Sequence, residues 1–427
     1  MKPLRTLSLL FLAALVLAGC AVNPVTGERQ LALVSEREEI SIGEQHYGTT
    51  QQSMGGPYKT DEELNRYVQR VGQRLAEVSD RPQLPYEFVV INDGTPNAWA
   101  LPGGKIGINR GLLLEMESEA ELAAVLGHEI VHAAARHGAQ RMERGLLLQA
   151  GIMAVGIGAS AAERDIGPLL VAGAGVGATL IMQRHSRSHE LEADYYGMQY
   201  MARAGYDPQG AVDLMETFLR MFDRREPSWL EGMFASHPPS RERLEANRAT
   251  AQELASQCGE CRMGRSEYQQ AIAGLQARQE AYEAHEKAKE ALKQGNAGEA
   301  LRLANQAIEK YPDEALFHGL RGDALAKQGR HEQAVQAYDR AVSRNREYFA
   351  FHLGRGLSHQ ALGNTSQARR DFQRSNDLLP NAIAHNALGK LALAAGNRDR
   401  AQGHFTLAAQ SDSPEGREAR ELLQRMQ

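Results

Sequence analysis

Between Glu62 and Val78 the apolar positions recur every three or four residues, the period of a helix with one buried face. Tyr86 to Ile91 alternates instead, as a half-buried strand does. The glycine-rich run from Asn97 to Asn109 then predicts a hairpin or an edge strand, turning at Pro102 to Gly104. Helical periodicity returns from Glu115 to Arg144 as one long helix, from Ser186 to Ala204 as a second, and from Pro208 to Phe222 as a third. A short sheet set among long helices predicts a mainly helical α+β domain over residues 21–260.

Beyond this domain the pattern repeats. Gly295, Gly329, Gly363 and Gly396 are spaced 34, 34 and 33 apart, and Ala300, Ala334, Ala368 and Ala401 each follow five residues later. Tyr338, Phe372 and Phe405 take the next large apolar position, and Pro312, Pro380 and Pro414 close three units. This period resembles tetratricopeptide repeats. Small residues let paired helices approach, a ring fills the gap to the next unit, and proline stops the second helix. The reading is an all-α solenoid over residues 284–427, capped by the amphipathic segment Glu415 to Gln427 and preceded by a helical linker at 261–283.

Two segments fit neither domain. Lys2 and Arg5 precede an apolar run, Leu7 to Leu17, too short to span a bilayer comfortably. Leu17-Ala18-Gly19-Cys20 resembles a bacterial lipobox. That resemblance implies a signal peptide over 1–20, lipid on Cys20 and, with Ala21 following, an outer-membrane address. Leu146 to Met182 is rich in Gly and Ala and is split by Glu163, Arg164 and Asp165. It is expected to form two buried or lid-forming helices, with insertion at a membrane surface or through the bilayer as alternatives.

Composition narrows the function classes. A net charge of -5 gives no basic stripe for nucleic acid. No Gly-Lys-Ser/Thr phosphate loop and no Gly-x-Ser-x-Gly elbow occurs. Outside the cytoplasm, Cys258 and Cys261 are expected to form a disulfide, because two thiols alone cannot complete a tetrahedral zinc site.

The chemistry concentrates in His128-Glu129-Ile130-Val131-His132. Helical residues four apart share a face, so His128 and His132 can reach one metal ion while Glu129 serves as general base. Glu190, in Ser188-His-Glu-Leu-Glu-Ala-Asp194, is the expected third ligand, with Asp194 on the same face to fix a ligand imidazole. Spacing leaves Glu192, His185 and His189 as rivals; Glu192 lies about 200° round the helix from Glu190, so only one of them can face the metal. His137 faces away from His132 and reads as helix surface or as support behind the ligands. Two imidazoles and a carboxylate suit Zn2+, one ion per chain.

HExxH followed by Glu-x-x-Ala-Asp resembles the gluzincin metallopeptidases of the HtpX and CAAX prenyl-protease type. That resemblance implies Glu190 as ligand and an edge strand at Leu101, Pro102, Gly103 and Gly104 that pairs with extended substrate. The His-Pro segment of the family maps onto His237, with Arg243 six residues on. Three readings of His237 stay open: oxyanion or carboxylate binding together with Arg243, a fourth metal ligand that keeps the site latent, or a plain helix-start histidine. With its repeats the chain resembles BepA-like periplasmic proteases. The implied partners are unfolded or misassembled envelope proteins, outer-membrane assembly machinery docked on the repeats, and a membrane held through the lipid anchor. A chaperone or scaffold with a structural metal site is the rival, and an intramembrane protease a second.

Overall fold

The computed structural model describes residues 20–154, 185–225 and 232–426. The segment before Cys20 expected to be a signal peptide, and residues 155–182 of the Gly/Ala-rich stretch, lie outside them. No helix among the described residues is long and apolar enough to cross a membrane. The protein is mainly helical with small sheets. It divides into two compact units, the first ending at Ile272 and the second made of Gly48–Glu62 and Ala273–Gln427.

The first unit begins with β1 (Cys20–Val22) and β2 (Arg29–Leu31), an antiparallel pair, and the part up to Tyr47 of α1 (Glu36–Ser53). Helix α2 (Glu62–Glu77) buries Leu64, Val68, Val71 and Leu75, the face that its periodicity predicts. Next come β3 (Glu87–Ile91), β4 (Ala98–Leu101) and β5 (Lys105–Asn109), in spatial order β3-β5-β4. β5 is central, parallel to β3 and antiparallel to β4, so β3 and β4 are both edge strands. Gly103 makes the β4–β5 turn at φ +77, where a Cβ would meet the Ile40 backbone at 2.7 Å. Gly103 and Gly104 are therefore packed away in a tight turn, and of the four edge residues, all buried, Leu101 and Pro102 line a small cavity.

The long helix expected over Glu115–Arg144 is broken. After the short α3 (Arg110–Leu113), α4 runs Glu119–Ala134 and α5 runs His137–Ala154. α4 starts on a reciprocal cap, in which the Ser118 side chain accepts from the Glu121 N–H and Glu121 accepts from the Glu117 N–H. The break lies at Arg136, in the left-handed region at φ +64. Its buried guanidinium donates to Glu39 and to the Val34 carbonyl. Glu39 also binds Arg81 at 2.9 Å, and Glu143 accepts from the Leu33 and Val34 N–H groups. Charge pairing from residues a hundred positions away outweighs a local sequence that favours helix.

Helices α6 (Arg187–Arg203), α7 (Gln209–Arg224), α8 (Met233–Ser236) and α9 (Arg241–Leu254) complete the surroundings of α4. α4 and α6 cross at two glycines: a Cβ on Gly127 would lie 3.1 Å from the Gly197 carbonyl oxygen, and one on Gly197 3.0 Å from the His128 nitrogen. The segment expected as a linker is helical, but α10 (Arg265–Ala277) anchors in the first unit. Its Tyr268 is fully buried and donates to the Leu113 carbonyl at 2.6 Å.

In the second unit the helix pairs are α11 (Gln279–Lys293) with α12 (Ala297–Lys310), α13 (Ala315–Lys327) with α14 (His331–Arg344), α15 (Phe349–Ala361) with α16 (Thr365–Leu378), and α17 (Ala382–Ala394) with α18 (Arg398–Ala408), closed by α19 (Pro414–Met426). Ala300, Ala334, Ala368 and Ala401 are fully buried. Tyr338 and Phe372 pack against Gly322 and Gly356 of the preceding helix, where a Cβ would come within 2.7 and 2.9 Å of the ring. Residues 48–62 also belong to this unit. Gln52 accepts from the Phe349 N–H and donates to the Glu347 carbonyl, and Thr60 donates to Glu314.

Gly127→Val tests the helix crossing. The added side chain meets backbone that cannot turn aside, so we expect a loss of about 1–3 kcal/mol in denaturant unfolding.

Candidate metal centre

Each residue of the centre is set by a short structural device. The i, i+4 spacing on α4 puts both imidazoles on the face turned to α6. Ser186 caps α6 by accepting from the His189 N–H, which places Glu190 in the first turn. A carboxylate there gains from the helix dipole. His237 closes α8, and Ser240 caps α9 so that Arg243 lies in its first turn.

These devices bring four donors together. One ligand atom each from His128, His132, Glu190 and His237 lies within 4.8 Å of every other, and all four residues are buried. The Nε2 atoms of His128 and His132 are 3.0 Å apart, and Glu190 carboxylate oxygens lie 3.6 and 3.4 Å from them. His237 Nδ1 is 3.3 Å from His128 Nε2 and 3.1 Å from Glu190 Oε1. Donors bound about 2.0–2.1 Å from one tetrahedral ion would be about 3.3 Å apart, so the residues present fit a zinc-sized ion. Glu129 lies beside them, 1 % exposed, with Oε1 3.6 Å from His237 Nε2 and without a hydrogen-bond partner among the described residues. Burial pushes its carboxyl up, a shift that favours a proton acceptor over a permanent anion.

Arg243 holds the charge balance. It pairs bidentately with Asp194, both contacts 2.7 Å, and reaches Glu190 Oε2 at 2.8 Å. Asp194 in turn takes His128 Nδ1 at 2.9 Å, which leaves Nε2 of that ring for the donor cluster. Burial opposes ionisation of Glu190, but His237, Arg243 and His128 outweigh it and hold its carboxyl well below the usual range. Asp194 is likewise held low against burial, chiefly by Arg243.

The rival ligands lie outside the four. His185 stacks on His132 with ring centres 3.8 Å apart, and His189 stacks on His137 at 4.0 Å. Leu101 and Pro102 share a cavity with His132, Arg141 and His185, which brings the end of β4 next to the centre. A second cavity of about 350 Å³, lined by Glu190, Pro238, Pro239, Ser240 and Arg243, opens on its other flank. Cys258 and Cys261 are bonded to each other, with Cα atoms 4.9 Å apart. Cys20 opens β1. Periodicity places His137 on a continuous helix and leaves it as helix surface or as support behind the ligands. It is fully buried beside His132, because the chain turns at Arg136.

Two imidazoles and a carboxylate around one point, with a buried carboxyl beside them, form the donor set of a metallopeptidase centre. Residues 62–251 match the model of peptidase family M48, and residues 285–349 and 353–415 match that of the tetratricopeptide repeat. The match and the donor set together support a metallopeptidase that also carries tetratricopeptide repeats. It is 38% identical over 180 residues to the mitochondrial metalloendopeptidase OMA1 of Schizosaccharomyces pombe, covering 42% of this chain and 50% of that protein. It is 28% identical over 239 residues to the beta-barrel assembly-enhancing protease of Escherichia coli, covering 54% and 47%. The chain spans about half the length of these curated relatives.

Arg243→Ala leaves Asp194 and Glu190 buried without their counter-charge. The expected cost is about 3–5 kcal/mol in denaturant unfolding of the metal-free protein. Arg243→Lys recovers only part of this, because an ammonium cannot reproduce the planar fork on Asp194.

Proposed function

We propose that this protein is a zinc-dependent endopeptidase of the bacterial cell envelope. The observation that carries the reading is the convergence of His128, His132 and Glu190 with the unpartnered Glu129 oxygen alongside. A zinc ion held by those three residues would polarise the scissile carbonyl and make water acidic enough to attack. Glu129 takes the proton of that water and delivers it to the leaving amine. Asp194 fixes the His128 tautomer, and Arg243 keeps both carboxylates ionised. Leu101 and Pro102, at the end of an edge strand beside His132, support a substrate bound in extended form.

The position of His237 favours latency as a second reading. Its Nδ1 lies at ligand-to-ligand distance from both His128 and Glu190, so it can fill the fourth position at rest and swing out for substrate. The names of the relatives, the lipobox resemblance at Cys20 and the repeat array support the setting. In that setting the chain is a lipid-anchored outer-membrane protein. Misassembled envelope proteins are the substrate, and the repeats hold clients or assembly machinery close to the protease.

Cleavage of an unfolded protein substrate, with metal content measured on the same samples, tests this. Glu129→Gln is expected to lose roughly 10²- to 10⁴-fold in rate with zinc still bound. His237→Ala is expected to raise the rate. Zinc-loaded protein that never cleaves in either background favours the scaffold reading.

A further inference from the structure

The two imidazoles of the centre are supported differently. His128 leans directly on a carboxylate, Asp194. Among the described residues no carboxylate meets the outer nitrogen of His132; its Nδ1 lies 2.7 Å from Nδ1 of His137 instead. His137 Nε2 then lies 3.1 Å from Glu192 Oε1. The proton positions follow by elimination. If His132 turns the Nε2 lone pair to the metal, its Nδ1 carries hydrogen and donates; His137 Nδ1 must accept, so His137 Nε2 carries hydrogen and donates to Glu192. Every donor then meets an acceptor.

Resting on the endopeptidase reading, we infer that His137 and Glu192 are positioning residues for His132, forming a relay His132–His137–Glu192 that fixes its tautomer and raises its strength as a ligand. The nitrogen separation favours a hydrogen bond over the obvious competitor, a second metal held by His132, His137 and His185, whose donor atoms also cluster. Two ligands of one tetrahedral ion would be about 3.3 Å apart, whereas 2.7 Å is a hydrogen-bond length. The relay also gives Glu192 a task. It faces away from Glu190 round α6, and it reaches the centre through a ring that is fully buried while its own side chain stays 21% exposed. The left-handed turn at Arg136 makes this possible, since a straight helix would carry His137 off the face of His132.

The test is zinc affinity of the full chain, by competition with a chromophoric chelator, for the wild type, His137→Leu, His137→Asn and Glu192→Leu. Asn sets its carbonyl oxygen where the His Nδ1 acceptor sits. His137→Leu is expected to weaken zinc binding roughly 10- to 100-fold, and Glu192→Leu by less. His137→Asn should regain most of the loss, and the visible spectrum of its cobalt-loaded form should match that of wild type. Unfolding of the metal-free proteins shows whether each variant folds. The relay is overturned if His137→Leu binds zinc within twofold of wild type. It is equally overturned if Asn binds as poorly as Leu, or if wild type binds two zinc ions and His137→Leu one. None of these readouts depends on cleavage, so failure of the endopeptidase reading would appear separately, as Glu129→Gln cleaving like wild type.

Discussion

The centre depends on one buried guanidinium. Glu190 and Asp194 lie a helical turn apart in an interior with almost no exposure, where two carboxylates would repel and take up protons. Arg243 touches both and keeps them anionic. One can then face a cation, and the other can hold an imidazole by its outer nitrogen. Without that charge Asp194 loses its chief counter-ion, and Glu190 is left to His237 and His128 alone.

Around this pairing the fold supplies closeness and direction. Glycines at the crossing of α4 and α6 allow backbone contact, which brings the two ligand-bearing faces within reach of a common point. Serines at the starts of α4, α6 and α9 fix where each first turn begins, and thereby which side chains point inward. The buried network of Glu39, Arg81, Arg136 and Glu143 ends α4 two residues beyond the last position that the site needs.

Much of this was legible in the sequence because it is local. The i, i+4 spacing of His128 and His132 and of Glu190 and Asp194 fixes shared faces without knowledge of the fold. The repeat period survives because each unit packs mainly on its neighbour. What escaped is non-local. Ala133 to Arg136 reads as helix, and nothing nearby reveals that Glu39 and Val34 will pull Arg136 out of it. That missed turn is why spacing leaves His137 open between helix surface and support behind the ligands, and why it offers Glu192 only as a rival ligand to Glu190. The membership of residues 48–62 in the second unit is likewise invisible, since it rests on Gln52 and Thr60 meeting residues some 250 or more positions away. Leu146 to Met182 lies beyond comparison, because residues 155–184 fall outside the described structure.

The most direct test of the account is X-ray absorption at the zinc edge on the purified full chain, with metal counted per chain. Convergence of His128, His132 and Glu190 predicts one zinc ion in about four nitrogen and oxygen donors, with the outer-shell scattering of at least two imidazoles. A chain that retains no zinc, or zinc bound through sulfur, would contradict the account at its centre.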